Sequence, residues 1–178
     1  GLGNTTSLSS PAQVTSGVAS IAAGSQFSLF RRTDASLWAM GANSSGQLGD
    51  GTTTSRSTPV LVSASTLACD AGSAHTVFLT SDGTLHATGL NSSGQLGLGD
   101  LVNRTSPAVI ATGITAANVA GQHSLWIDAA GSLWSTGQNF RGELGVGDTL
   151  PRSIPQEIAP RVDRVRATQA GAFFVTTE

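Results

Sequence analysis

Leu37–Gly51, LWAMGANSSGQLGDG, returns as Leu85–Gly99, LHATGLNSSGQLGLG, and as Leu133–Gly147, LWSTGQNFRGELGVG. Each return lies 48 residues further on and needs no gap, and Gly1-Leu2-Gly3 matches the tail of another copy. Self-similarity at such a period marks a solenoid, propeller or array, and it outranks local signals. Taken as units 1–48, 49–96, 97–144 and 145–178, the copies superpose throughout, the last one incomplete. A binding or scaffolding repeat protein is the first expectation.

Composition agrees with short strands. Only 11% of the 178 residues are charged and 22 are Gly, whereas helix surfaces favour Glu, Lys and Arg. All nine basic residues are Arg, and the net charge of −2 offers no general attraction for nucleic acid or anionic lipid. No apolar run approaches the ~18 residues of a membrane span, and no charged-then-apolar leader opens the chain. The single cysteine, Cys69, excludes an intrachain disulfide.

Within each unit the order of signals is constant. A glycine pair (Gly1/Gly3, Gly49/Gly51, Gly97/Gly99, Gly145/Gly147) supplies a tight loop. A proline follows at the same place in all four units, Pro11, Pro59, Pro107 and Pro155. Lacking an amide donor, it suits the first residue of a strand or an edge strand, here ending at Val14, Val62, Ile110 and Ile158. A second strand carries Ile21, Cys69, Ala117 and Val165, so Cys69 reads as a buried small hydrophobe rather than a reactive thiol. A third carries an aromatic in register, Phe30, Phe78, Trp126 and Phe174, expected to fill the same gap between sheets each time. A turn at Asp82-Gly83 or Ala130-Gly131 leads to the fourth strand at Leu37, Leu85 and Leu133. Four short strands per unit describe a propeller blade, which buries both faces only by stacking on its neighbours.

These residues resemble the regulator of chromosome condensation repeat. Its unit runs apolar-Trp/Tyr-x-x-Gly-x-Asn-x-x-Gly-Gln-Leu-Gly, then a proline strand, then Gly-x-x-His-Ser/Thr. Trp38, Gly41, Asn43, Gly46, Gln47, Leu48 and Gly49 match it, as do Gly89, Asn91, Gly94, Gln95, Leu96 and Gly97. Trp134, Gly137, Asn139, Gly142, Leu144 and Gly145 match again, with Glu143 for the glutamine and His86 for a tryptophan. The second part appears at Gly72–Thr76 and Gly121–Ser124, while Phe27 and Gly171 replace the histidine elsewhere. The resemblance implies an all-β propeller of seven blades, about 340 residues at this period, against about 3.7 repeats here. Three arrangements fit: an excerpt of a longer protein, an open arc covered by partners, or a subunit that closes a ring with a second copy. An uncovered arc would expose two apolar blade faces.

The chemically prominent side chains mostly read as architecture. His75 and His123 sit 48 residues apart on different blades, so structural hydrogen bonding is expected of both. Arg56, Arg104 and Arg152 recur with Asp50, Asp100 and Asp148 nearby, while the first unit has Leu8 and Asn4 instead. Loss of both partners together predicts a loop-pinning Arg–Asp pair. No nucleophile elbow, calcium loop, zinc spacing or phosphate cradle is present, so neither an enzyme, a metal nor a cofactor is expected.

Departures between copies carry more information about contacts. Ser44-Ser45 and Ser92-Ser93 become Phe140-Arg141 in the third unit, an aromatic–arginine pair typical of interface hot spots. Arg164 and Arg166 of the last unit should share one strand face, and they read, with Arg31-Arg32 of the first, as solvated edge-strand charges. Within the family, roles include nucleotide exchange on a small GTPase with chromatin contact, ultraviolet sensing by tryptophan clusters, and protein inhibition. The acidic balance and three scattered tryptophans weigh against the first two. The chain is therefore expected to be a non-enzymatic protein-interaction or structural scaffold. A regulatory domain (inhibitor or exchange-factor-like) binding one protein partner is the alternative, and a carbohydrate-binding module a remote one. The Ser/Thr/Gly-rich, Lys-free repeats resemble bacterial secreted or cell-surface proteins.

Overall fold

The computed structural model describes residues 1–169 and 171–176, among which there is no helix. Strands β1 (Val18–Ala23), β2 (Phe27–Arg32), β3 (Leu37–Gly41) and β4 (Arg56–Ser63) form an antiparallel meander in that order. So do β5 (Thr66–Ala71), β6 (His75–Thr80), β7 (Leu85–Gly89) and β8 (Arg104–Ala111). A third sheet comprises β9 (Ile114–Ala120), β10 (His123–Asp128), β11 (Leu133–Gly137) and β12 (Arg152–Ala159). Finally β13 (Val162–Thr168) and β14 (Gly171–Thr176) pair with each other alone. Each four-stranded sheet thus takes three strands from one 48-residue unit and its outer strand from the next.

Two expectations about the proline strand need correction. Pro59, Pro107 and Pro155 do not open their strands but stand fourth in β4, β8 and β12. They are tolerated because each strand is the outer edge and slips register beside the proline, between the Ala39–Val60 and Gly41–Arg56 pairs in the first sheet. A missing amide there costs no ladder bond. Pro11 and Val14 lie in no strand at all. In the later units this segment pairs with the third strand of the preceding sheet, and residues 1–17 have no such strand beside them.

Packing follows from the two-residue period of each strand. On the first sheet Leu29, Leu37 and Ala39 point toward the second sheet, where they meet Cys69, Ala71 and Phe78. Val77, Leu79, Leu85 and Ala87 of the second meet Ala117, Val119 and Trp126 of the third. Leu125, Ile127 and Leu133 of the third then meet Val162 and Val165. The first two seams also receive a leucine from the loop after the third strand, Leu48 and Leu96, and these are fully buried, as is Leu144. Burying one such side chain contributes about 1.5–3 kcal/mol, so the seams dominate stability.

Phe30, Phe78 and Trp126 occupy equivalent seats and are each 3% exposed. Phe30 stacks on Trp38 (6.4 Å between centroids, 4° between planes) and Phe78 on His86 (4.9 Å, 9°), while Trp126 pairs across the ladder with Trp134. Phe174 shares the strand position but is 42% exposed, because no third strand stands beside β14 among the described residues. The outermost faces are open. Ile21 is 79% exposed, and Phe173, in the register of fully buried Leu29, Val77 and Leu125, is 72% exposed.

Candidate interaction site

The loops between third and fourth strands are built around one asparagine each. Asn43, Asn91 and Asn139 are fully buried. Their Oδ1 atoms accept from the amides of Leu48, Leu96 and Leu144, all at 2.9 Å. Their Nδ2 atoms donate to Oδ1 of Asp50, Asp100 and Asp148 at 3.1, 3.0 and 3.2 Å. Asn43 and Asn139 also bond backbone oxygens further along the loop. One side chain thereby fixes both arms of each long connection, because its amide carries an acceptor and a donor together.

The aspartates in turn hold the arginines, and the first unit, with Leu8 and Asn4 at these places, lacks both partners. Arg56, Arg104 and Arg152 reach Asp50, Asp100 and Asp148 at 2.6, 2.6 and 2.5 Å. The acid sits two residues earlier in the second unit than in the later ones, yet it makes the same pair. All three carboxyls are held below the usual aspartate value. Hydrogen bonds from Thr52 and Arg56 outweigh desolvation at Asp50, the Arg104 side chain leads at Asp100, and the Leu150 amide leads at Asp148.

Gly41, Gly89 and Gly137 lie at φ 113°, 106° and 111°. A methyl group there would stand 2.4–2.6 Å from the backbone oxygens of Gln26, Ala74 and Gln122, so glycine is required on two counts.

His75 lies between the second and third sheets, fully buried. Its Nε2 donates to Ser124 Oγ at 3.1 Å, and that hydroxyl donates to the Gln95 carbonyl at 2.7 Å, which places the ring proton on Nε2. Burial, with His123 nearby, pushes its pKa from 6.5 down to about 3. His123 is also buried and its pKa lowered by desolvation, but its Nε2 has no hydrogen-bond partner among the described residues. The reason is sequence: Ala172 stands where Ser124 stands one unit earlier. Cys69 lies in the first seam, and burial, then the charge of Asp70, pushes its thiol up to about 11. The thiolate needed for reactivity is suppressed there.

Phe140 and Arg141 are exposed at the tip of the β11–β12 loop. The Arg141 amide donates to Glu143 Oε2 at 2.7 Å, the bond that Ser45 and Ser93 give to Gln47 and Gln95. Glu143 therefore replaces glutamine without loss of the acceptor. The Arg141 guanidinium makes no ion pair among the described residues.

The other arginines correct the edge-strand reading. Arg32 lies with its guanidinium carbon 4.9 Å from the Trp38 ring centroid and 6.0 Å from that of Phe30, and it bonds Thr15 Oγ1 at 2.9 Å. Arg31, on the opposite face, has a buried Nε. Both are half-buried packing residues. Arg164 and Arg166 do share a face, but it is the broad sheet face that carries Phe173 and Val175, not a lateral edge.

One polar relay escaped the sequence. Asp70 accepts from the Asn118 side chain and, at 3.0 Å, from the Val119 amide, and Asn118 Oδ1 accepts from the Ala167 amide. Burial raises the pKa of Asp70 despite these bonds. Ala22, Asp70, Asn118 and Arg166 share one register, so the relay hides among residues that differ at every copy.

The regulator of chromosome condensation (RCC1) repeat profile matches residues 34–79, 82–127 and 130–176, and a second profile of the same repeat matches 18–47 and 68–95. The chain belongs to this repeat family. No curated protein sequence matches it. Among solved structures, human WBSCR16 superposes with a TM-score of 0.78 at 21% identity, covering 89% of this chain and 44% of that one. Yeast RCC1 (Prp20) bound to Kap60 gives 0.75 at 18%, covering 91% and 43%. Prp20p from Saccharomyces cerevisiae, characterised for binding Gsp1p and histones, gives 0.72 at 19%, covering 91% and 44%. The chain is therefore an RCC1-type all-β propeller segment spanning less than half the length of these proteins.

Proposed function

We propose that this RCC1-repeat segment is a non-enzymatic protein-interaction scaffold whose contact centres on Phe140 and Arg141. The observation that carries the reading is that the repeated polar side chains are spent within the architecture, while this exposed pair departs from the repeat. Asn43, Asn91, Asn139, the three Arg–Asp pairs and His75 all bond inside or between sheets. Gly41, Gly89 and Gly137 serve the backbone. Protein binding is also what the yeast neighbour does with Kap60, Gsp1p and histones, which supports the class and names no partner here. A regulatory domain acting on one protein partner, as inhibitor or exchange factor, is a special case of the same reading.

The carbohydrate alternative is weakened by the tryptophans. Trp126 is buried, and the indole N–H groups of Trp38 and Trp134 are bound by Ser36 and Asp128 at 2.8 and 2.9 Å. Ring closure with a second copy is a separate reading, motivated by open faces at Ile21 and Phe173. Light scattering decides it: a defined oligomer supports closure and a monomer removes it.

The contact itself is tested by Phe140→Ser with Arg141→Ser, the residues of the two earlier loops. A protein crosslinked through a photoreactive group at position 140 should lose at least about tenfold in affinity for this variant. Unchanged affinity would refute the contact.

A further inference from the structure

The Phe140–Arg141 tip is one corner of a wider apolar rim. Leu101, Val102, Leu150 and Ile154 are 60–63% exposed, and Phe140 is 65% exposed. They occupy two neighbouring loops and the start of β12. Gly99 donates to the Ser153 carbonyl at 2.9 Å, and a Cβ on Gly99 would lie 4.0 Å from Ile154 Cγ1, so the β7–β8 loop lies against β12. Asn139 donates to the Leu150 carbonyl at 3.1 Å, which ties Leu150 to the Phe140 tip.

The repeat supplies an internal control. At the same registers the unit 49–96 has Thr53, Thr54 and Thr58, and the first sheet's loop has Ser44. The blade therefore does not require apolar residues at these positions. Nor does the incomplete last sheet account for the exposure. Leu101 and Val102 lie in a loop that already has the third sheet beside it, with Gly94 against Arg152 and Ser153. Ser44 and Ser92 are exposed although the following sheet is present, so position 140 faces solvent in any stack of blades. Ile21 and Phe173, by contrast, are exposed only because no sheet covers them.

We propose that this rim is a docking surface for an extended protein segment that combines apolar side chains with a carboxylate. The charge of the segment follows from the rim. Arg104 and Arg152 are paired with Asp100 and Asp148, and the Glu143 carboxylate is buried and taken up by the Arg141 amide and the Gln138 side chain, which leaves Arg141 as the exposed guanidinium of the rim that makes no ion pair among the described residues. An apolar anchor flanked by one exposed arginine matches an apolar segment flanked by one acid. The proposal rests on the interaction reading above and extends it from one loop to two.

The test is selection of phage-displayed random dodecapeptides on the immobilised chain. The variant Leu101→Thr, Val102→Thr, Leu150→Thr, Ile154→Thr copies residues the protein already holds at those registers, and the single Val102→Thr change serves if the quadruple does not fold. Selected peptides should pair Asp or Glu with aromatic or aliphatic residues and should bind the quadruple variant at least about tenfold more weakly. Arg141→Ser should remove the preference for the acid. No acidic–apolar consensus, equal binding to the threonine variant, or binding of phosphatidylserine vesicles in place of peptide would each overturn the proposal. Loss of binding with Phe140→Ser/Arg141→Ser alone keeps the narrower contact and rejects the rim; loss with the threonine variant alone does the reverse.

Discussion

Leu125 and Phe173 stand at the same register of successive sheets, and their surroundings could hardly differ more. Leu125 is sealed in the third seam, whereas Phe173 lies on an open sheet face and is 72% exposed. The strand sequences prescribe the same inward-pointing seat for both. What separates them is the presence of the next sheet, so stability in this fold belongs to the seams and not to the blades themselves.

That contrast is open to test at several strengths. The largest effect is expected at Gly89→Ala, where a Cβ would meet the Ala74 carbonyl oxygen at 2.5 Å and φ is 106°. Left-handed strain and overpacking together should cost roughly 4 kcal/mol or more in urea unfolding. Gly147→Ala, with nothing within 4 Å, should cost far less despite its φ of 84°. Equal losses would show that the close approach of the β5–β6 turn to Gly89 is irrelevant. Next, Leu125→Ala should destabilise by about 2–5 kcal/mol, while Phe173→Ala leaves the melting temperature nearly unchanged in a monomer. A large loss at Phe173 would mean that its face is covered in solution.

Asn91→Ala should cost about 1–3 kcal/mol by orphaning the Leu96 amide. Asp100→Ala should lower the melting temperature by less, since that carboxylate is exposed, and should leave the contact through Phe140 and Arg141 intact. Lost binding with unchanged melting would reverse the structural assignment of the Arg–Asp pairs. A further effect concerns pH. His75 is held neutral down to about 3, whereas the unfolded chain protonates it near 6.5. The unfolded state therefore binds more protons between these values, and stability present above 6.5 is lost as pH falls toward 3. His75→Phe, which copies Phe27, should flatten this part of the melting-temperature profile; an identical slope would remove His75 from the account.

The constant stride of 48 residues made the seats legible before any coordinates. It identified the asparagines, the glycines and the Arg–Asp pairs, because equivalent backbones demand equivalent side chains. It did not show that Pro59 and its counterparts close the preceding sheet, since strand-forming residues specify an extended chain and not the partner it pairs with. Arg31 and Arg32 looked like solvated charges because sequence cannot show that Trp38 offers a ring face to a guanidinium. The Asp70–Asn118 relay was hidden for the opposite reason. Its members bond across a seam from one register, and comparison of copies registers them only as differences.

The same logic divides the loops. Asn139 and Phe140 are adjacent, yet one is shared by all three loops and buried, and the other is unique and exposed. In these loops the repeated residue is architectural, and the departing one is the contact we propose.

The most direct measurement is the melting temperature of the Phe140→Ser/Arg141→Ser chain, which makes the third loop a copy of the first two at these positions. It should melt within about a degree of the parent, as expected of exposed substitutions away from caps and seams. A fall of several degrees would show that the pair belongs to the framework, and the division between repeated and departing residues would fail.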